Sequence, residues 1–218
     1  MRRVFLVLEA VLYAAFLVLD LSGNLPAVST GLKFAGIALA ALTGITALRT
    51  PDGRITAAAL FLTAAADVFL LLLDAHYAAG VALFLCVQAL YSIRLCILSG
   101  ANRTLHLTAR VMLAGFAAFL IGARFGRLEM LAAGYIVWFF MNLLQSIALA
   151  AQTRTKRTVL FAAGLALFFL CDLCVGIHNL PQNPLSAFAS IAMWAFYLPG
   201  QVLIALSTDS FGGMMDEI

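Results

Sequence analysis

Residues 55–74, ITAAALFLTAAADVFLLLLD, are apolar almost throughout. At about 1.5 Å per residue, a helix of that length crosses the roughly 30 Å hydrocarbon core of a bilayer. A chain made of such runs has few folds open to it. Asp67 nevertheless lies inside the run. A carboxylate in a spanning helix costs roughly 2.5–3.5 kcal/mol to insert, so it is expected to face a bundle interior and to mark a function. The helical period agrees. Thr56, Thr63, Asp67 and Asp74 share one face, and Leu, Phe and Ala fill the others.

The rest of the chain repeats this pattern. It is 64% hydrophobic and 11% charged, with a mean hydropathy of +1.06, which is the composition of a polytopic membrane protein. Apolar runs at about 4–21, 29–48, 55–74, 80–98, 105–122, 128–150, 159–177 and 185–206 predict an all-α bundle of eight spans. They are read as one transmembrane domain over 1–218, with a short acidic tail at 209–218. The first run follows Arg2 and Arg3 as a signal peptide would. It is too long for one, carries Glu9 and Asp20, and lacks a small-residue cleavage site, so it reads as a retained span. Pro199 predicts a kink in the last span. The net charge of +3, with no basic cluster beyond residues 154–157, gives nucleic-acid binding no support. Cys86, Cys96, Cys171 and Cys174 all lie in apolar runs and read as small buried side chains.

Eight spans put alternate loops on opposite sides. One side collects Arg2, Arg3, Arg49, Arg54, Arg103, Arg154, Lys156 and Arg157, and the other only Arg124 and Arg127. The excess of positive charge on cytoplasmic loops then places both termini in the cytoplasm.

Polar and aromatic residues form stripes at helical spacing. These are Glu9, Tyr13, Phe16 and Asp20; Gln88 and Tyr91; Tyr135, Trp138, Asn142 and Gln145; and Ser190, Trp194, Tyr197 and Gln201. Interhelical hydrogen bonds that hold the bundle account for most of them. Three charges ask for more. Asp67, Asp172 and Lys33 come from separate spans and sit at similar depth, roughly 6–10 Å inside the outer ends at 1.5 Å per residue. They read as a site, with an ion-pair triad or a snorkelling Lys33 as the structural alternatives. Glu9, Arg94 and Arg110 lie nearer cytoplasmic ends and are expected to snorkel. The third and fourth spans echo the seventh and eighth, each pair holding an Asp late in its first helix and a Tyr plus a Gln in its second. That echo suggests two parallel four-helix repeats.

These residues resemble a known family. Lys33, Ala65-Ala66-Asp67-Val68-Phe69-Leu70-Leu71 and Gln88-Ala89-Leu90-Tyr91 are similar to the first half of the lysoplasmalogenase (YhhN-like) family of integral membrane proteins. Phe168-Phe169-Leu170-Cys171-Asp172-Leu173 and Tyr197-Leu198-Pro199-Gly200-Gln201 are similar to its second half. The resemblance implies hydrolysis of the vinyl ether bond of lysoplasmalogens to a fatty aldehyde and a glycerophospho-head group. Asp67 and Asp172 match the family's intramembrane acids, and Lys33, Tyr197 and Gln201 its other polar positions. Gln88 and Tyr91 complete the expected substrate contacts. The chain departs from the family at Ala66 (usually Gly), Cys171 (usually Ser) and Gln88 (usually His).

Two carboxyl groups suit that chemistry. Cleavage begins with protonation of the outer vinyl carbon, and water then attacks the resulting oxocarbenium ion. An acid and a carboxylate in different environments meet this demand, as in glycosidases. The expected partner is a membrane lysophospholipid whose phosphate meets Lys33, in a bacterial cytoplasmic membrane, with no cofactor and no metal. The other readings are a proton-coupled transporter, an inactive lipid-binding family member, and a metal hydrolase using Asp67, Asp172, His76 and His178. The topology is tested directly: a reporter fused after Ile218 should read as cytoplasmic, and an external signal would overturn the orientation.

Overall fold

The computed structural model describes residues 2–208, so the tail expected at 209–218 lies outside the described residues. Eight helices follow one another: α1 (Arg2–Ser22), α2 (Pro26–Gly44), α3 (Pro51–Asp67), α4 (Tyr77–Ser99), α5 (Arg103–Gly122), α6 (Arg127–Thr153), α7 (Lys156–His178) and α8 (Ser186–Leu206). A short 3₁₀ turn, Ile45–Ala47, ends α2, and a π-helical turn, Val68–Leu72, extends α3. All eight are long and apolar enough to cross a membrane, and the described residues contain no strand. The expected runs and the observed helices agree to within a few residues.

Local chemistry sets the helix ends. Thr50, Asn102 and Thr155 cap α3, α5 and α7, their side-chain oxygens accepting from the backbone N–H three residues on. Pro26 and Pro51 occupy first turns, where no donor is needed. The outer surface stays apolar, with Val4, Val7, Val11, Val18, Phe116 and Phe119 exposed. In a bilayer such side chains face lipid tails at no cost.

Sequential helices pair as hairpins. In addition α4 touches α5 and α6, and α8 touches α1 and α2. The fourth helix of each half thus meets the first two helices of the other half.

One end of the bundle is tied by charge. Arg94 of α4 is fully buried and donates to Asp52 of α3 from Nε (2.7 Å) and Nη2 (3.2 Å). It also donates to the hydroxyl (2.8 Å) and carbonyl (2.9 Å) of Ser207, just past α8. Arg157 of α7 reaches the second Asp52 oxygen at 2.7 Å. The expectation that Arg94 snorkels is therefore wrong. Asp52 lies in the first turn of α3, and its carboxylate makes burial of the guanidinium affordable where headgroups would otherwise be needed. Helices α3, α4, α7 and α8 meet here, at what we call the basic end. The antiparallel runs then carry Asp67 and Asp172 to the opposite, aspartate end.

The α7–α8 crossing is close. A Cβ on Gly164 would lie 2.9 Å from the Gly200 carbonyl oxygen, and one on Gly200 would lie 3.1 Å from the Gly164 carbonyl oxygen. Small residues let backbones approach in this way where lipid supplies no hydrophobic drive.

Pro199 sits inside α8 and has no N–H to give the carbonyl of Ala195, four residues earlier. The Tyr13 hydroxyl of α1 donates to that carbonyl at 3.1 Å. A break in the α8 ladder thereby becomes a contact between helices. Tyr13→Phe should cost about 1 kcal/mol in the native chain. In a Pro199→Ala background, where the helix regains its own donor, the cost should shrink. A double-mutant cycle read by reversible unfolding in detergent checks this.

Candidate functional site

Asp67 is the last residue of α3 before the π turn, and it is buried. Tyr197 of α8, also buried, donates its hydroxyl to Asp67 Oδ2 at 2.8 Å. Asp172 of α7 is half-buried and takes the Tyr135 hydroxyl of α6 on Oδ2 at 2.5 Å. A ladder of rings joins the two tyrosines. Phe168 meets Tyr197 at 5.3 Å and Phe84 at 5.5 Å between ring centroids, and Phe84 meets Tyr135 at 6.0 Å. The four helices α3, α6, α7 and α8 therefore bring two acids and two phenols together at the aspartate end.

The pairing crosses the halves of the chain. Asp67 bonds the tyrosine of α8 rather than Tyr91 of the adjacent α4. Tyr91 is fully buried one turn deeper. Its ring meets Phe161 at 5.4 Å, and its hydroxyl has no hydrogen-bond partner among the described residues.

The π turn alters the α3 face. Thr56, Thr63 and Asp67 are buried as the period requires. Asp74 is not on that face. The wider turn ends the helix at Leu72, and Asp74 lies beyond it with positive φ, accepting from the Tyr77 hydroxyl at 2.8 Å. Single π turns recur next to functional side chains because they re-aim the residues around them.

Lys33 does not bond either of these aspartates. Its ammonium pairs with Asp20 of α1, 2.8 Å from Oδ2 and 3.0 Å from Oδ1, and Ser29 donates to the same carboxylate at 2.5 Å. The ammonium also lies 5.0 Å from the Trp194 ring centre and 5.8 Å from that of Phe16. Trp194 meets Tyr197 at 5.4 Å, so two rings stand between the Lys33 pair and Asp67. Depth alone grouped Lys33 with Asp67 and Asp172. Asp20, one helical face of α1 away, is the partner that depth did not reveal.

Gln88 of α4 is fully buried. Its Oε1 accepts from Asn142 Nδ2 at 2.9 Å, and its Nε2 has no hydrogen-bond partner among the described residues. Asn142 is a hub. Its Oδ1 accepts from Ser92 (2.7 Å) and Arg110 (2.9 Å), and Arg110 also donates to Gln145 and to the His106 carbonyl. Arg110 is thus buried in a network joining α4, α5 and α6, contrary to the snorkelling expectation. Glu9 departs from expectation too. It is buried against Gly36 and Leu198, and neither of its oxygens has a hydrogen-bond partner among the described residues. Gln201 is fully buried one turn below Tyr197, and neither of its amide atoms has such a partner.

Tyr135 was visible as part of a stripe but not as a site residue, because nothing in sequence says which acid a tyrosine will meet. The histidines of the metal reading stay apart: His76 lies against Phe69, and His178 against Ser186. No group of three His, Cys, Asp or Glu side chains placed to hold a metal ion occurs among the described residues. An apolar groove lined by Leu113, Val137, Phe140 and Phe169 opens on the outside of α5–α7, and neither aspartate lines it.

The fold and this site define a membrane-type helical bundle with paired acids held by phenols between its helices. The sequence pattern of the YhhN family matches residues 28–208, so the chain belongs to the YhhN family, which includes lysoplasmalogenases. No curated protein and no solved structure gives a significant match.

Gln88 has a measurable structural role. Gln88→Leu removes an acceptor and leaves one Asn142 N–H unpaired, at a cost of about 1–3 kcal/mol. Gln88→His offers a ring nitrogen in its place and should stay near native stability. Thermal unfolding of the two variants compares them.

Proposed function

We propose that the chain is a membrane-embedded ether hydrolase that cleaves the vinyl ether bond of lysoplasmalogens, with Asp67 and Asp172 as its acid–base pair. The observation that carries this reading is the site itself: two carboxyl groups from different halves of the chain, each taking a tyrosine hydroxyl on Oδ2, with the two tyrosines joined by a ladder of rings. Family membership agrees with it.

One aspartic acid delivers its proton to the outer carbon of the C=C–O unit, and the electron pair of the double bond forms the new C–H bond. The oxocarbenium ion that results is stabilised by the other carboxylate, which also takes a proton from the attacking water. The hemiacetal then collapses: the second carboxyl returns its proton to the departing glycerol oxygen, the first carboxylate takes the hemiacetal hydroxyl proton as the aldehyde C=O forms, and both groups are reset with one water consumed. Tyr197 and Tyr135 hold one oxygen of each carboxyl and so orient the other toward the substrate. Pre-set geometry of this kind supplies much of the rate in acid–base catalysis. The basic end faces the cytoplasm in this reading, as the loop charges require.

Purified protein incubated with ethanolamine lysoplasmalogen should release aldehyde. Asp67→Asn and Asp172→Asn should each lower turnover by about 100-fold or more. The double variant should lose little beyond the worse single, because groups that act as a unit are not additive. Near-normal aldehyde release by both single variants would refute the two-carboxylate mechanism. If the native chain released none, Gln88→His would be the variant to restore activity.

A further inference from the structure

Beneath the Asp67–Tyr197 bond, three buried side chains carry polar atoms with no hydrogen-bond partner among the described residues. These are Thr63 Oγ1, both amide atoms of Gln201 and both carboxyl oxygens of Glu9. The fold brings them to one level. Helix α3 runs toward the aspartate end and α8 away from it. Thr63, four residues before Asp67, and Gln201, four after Tyr197, therefore both lie one turn nearer the basic end. Glu9 lies one turn before Tyr13, whose hydroxyl reaches the Ala195 carbonyl of α8. Its carboxyl meets α8 at Leu198, beside Gly36 of α2. At about 100° per residue, Gln201 leaves α8 about 40° from Tyr197 and about 60° from Leu198. It thus stands between the side turned to Thr63 and the side turned to Glu9. A Cβ on Gly36 would fall 3.2 Å from Glu9 Oε2 and 2.9 Å from Leu198, so glycine is what leaves room for the carboxyl.

Thr63 behaves unlike its neighbours. The hydroxyls of Thr43, Thr56 and Ser99 fold back on backbone carbonyls of their own helices. Thr63 makes no such bond, which leaves its hydroxyl for a group outside α3. Unpaired polar atoms are costly in a bundle that lipid surrounds. Buried water, held by about three polar partners, is the general remedy. A hydroxyl, an amide and a carboxyl from α3, α8 and α1 offer that set.

We infer that Thr63, Gln201 and Glu9 form an internal water site, and that it holds the water which hydrolysis consumes. The role in hydrolysis rests on the ether-hydrolase reading, while the presence of water does not. The Gln201 amide both donates and accepts, so it joins water on the Thr63 side to water on the Glu9 side. The apolar outer face of the bundle offers water no such partners, so a water standing one turn below the acids is the one placed to react. On attack its oxygen forms the new C–O bond, and its proton passes to the carboxylate that serves as base. Glu9 touches no reacting atom and is a positioning residue.

The test is radiolytic labelling, in which a brief X-ray pulse splits bound water and oxidises the side chains next to it. Full-length protein in detergent is mixed with heavy-oxygen water before the pulse. Leu198 and Leu95 are both fully buried, but only Leu198 touches the Glu9 carboxyl. Leu198 should be oxidised at least about fivefold faster than Leu95. Equal rates in the native chain would overturn the water site and leave a direct carboxyl–amide contact in its place. The apolar variant Thr63→Val/Gln201→Leu/Glu9→Leu should bring Leu198 down to the Leu95 rate. Glu9→Leu alone, the milder change, should lower it by about half. Unaltered oxidation of Leu198 in Glu9→Leu overturns the site as drawn. In aldehyde release, Glu9→Leu should lower kcat by about tenfold and leave KM nearly unchanged, and Glu9→Gln should recover most of the loss. A native kcat in Glu9→Leu overturns the role in hydrolysis. Labelling of Leu198 without aldehyde release would sink the hydrolase reading and leave the water site standing. Aldehyde release with Leu198 unlabelled would do the reverse.

Discussion

The Arg94–Asp52 pair closes one end of the bundle, and the rest of the arrangement follows from it. A guanidinium without exposure has to be met on nearly every donor, and Asp52 and Ser207 together meet it from α3 and from the end of α8. Arg157 brings α7 to the same carboxylate. Four helices are thereby tied at one level, and each must reach the other end in a fixed order. The pair adds little stability over an apolar substitute, but losing one partner would strand a buried charge, which costs about 3–5 kcal/mol. Its contribution is therefore to specify which helices meet.

At the other end the same rule operates with weaker donors. Asp67 and Asp172 have tyrosine hydroxyls where Asp52 has guanidinium groups. A phenol donates one hydrogen bond to a carboxyl without bringing a charge to it, whereas Asp52 faces two guanidinium groups. Position in the bundle thus gives otherwise equivalent carboxylates different partners. Asp20, paired with an ammonium that sits over aromatic faces, is a third kind. Helix irregularities lie at the points that matter: the π turn follows Asp67, and the proline of α8 lies two residues past Tyr197.

The sequence by itself determined the eight helices, their approximate ends and the faces they bury. The physical reason is that span length, caps and the 3.6-residue period are local properties. Thr56, Thr63 and Asp67, Gln88 and Tyr91, and Tyr197 and Gln201 are all buried as their spacing required. The family was legible as well, because its short motifs fall in order along the chain. Partner choice was decided only by the tertiary structure. Depth placed Lys33 beside Asp67 and Asp172, yet α1 presents Asp20 to it. Arg94 and Arg110 looked near enough to an end to reach water, and each found a buried acceptor instead. Asp67 took its tyrosine from the distant half of the chain, and Asp74 left the α3 face when the helix widened. A helix face is written in the spacing of residues along one segment. Which neighbour it meets depends on how all eight helices satisfy their polar groups at once in a medium that offers no water to do it for them.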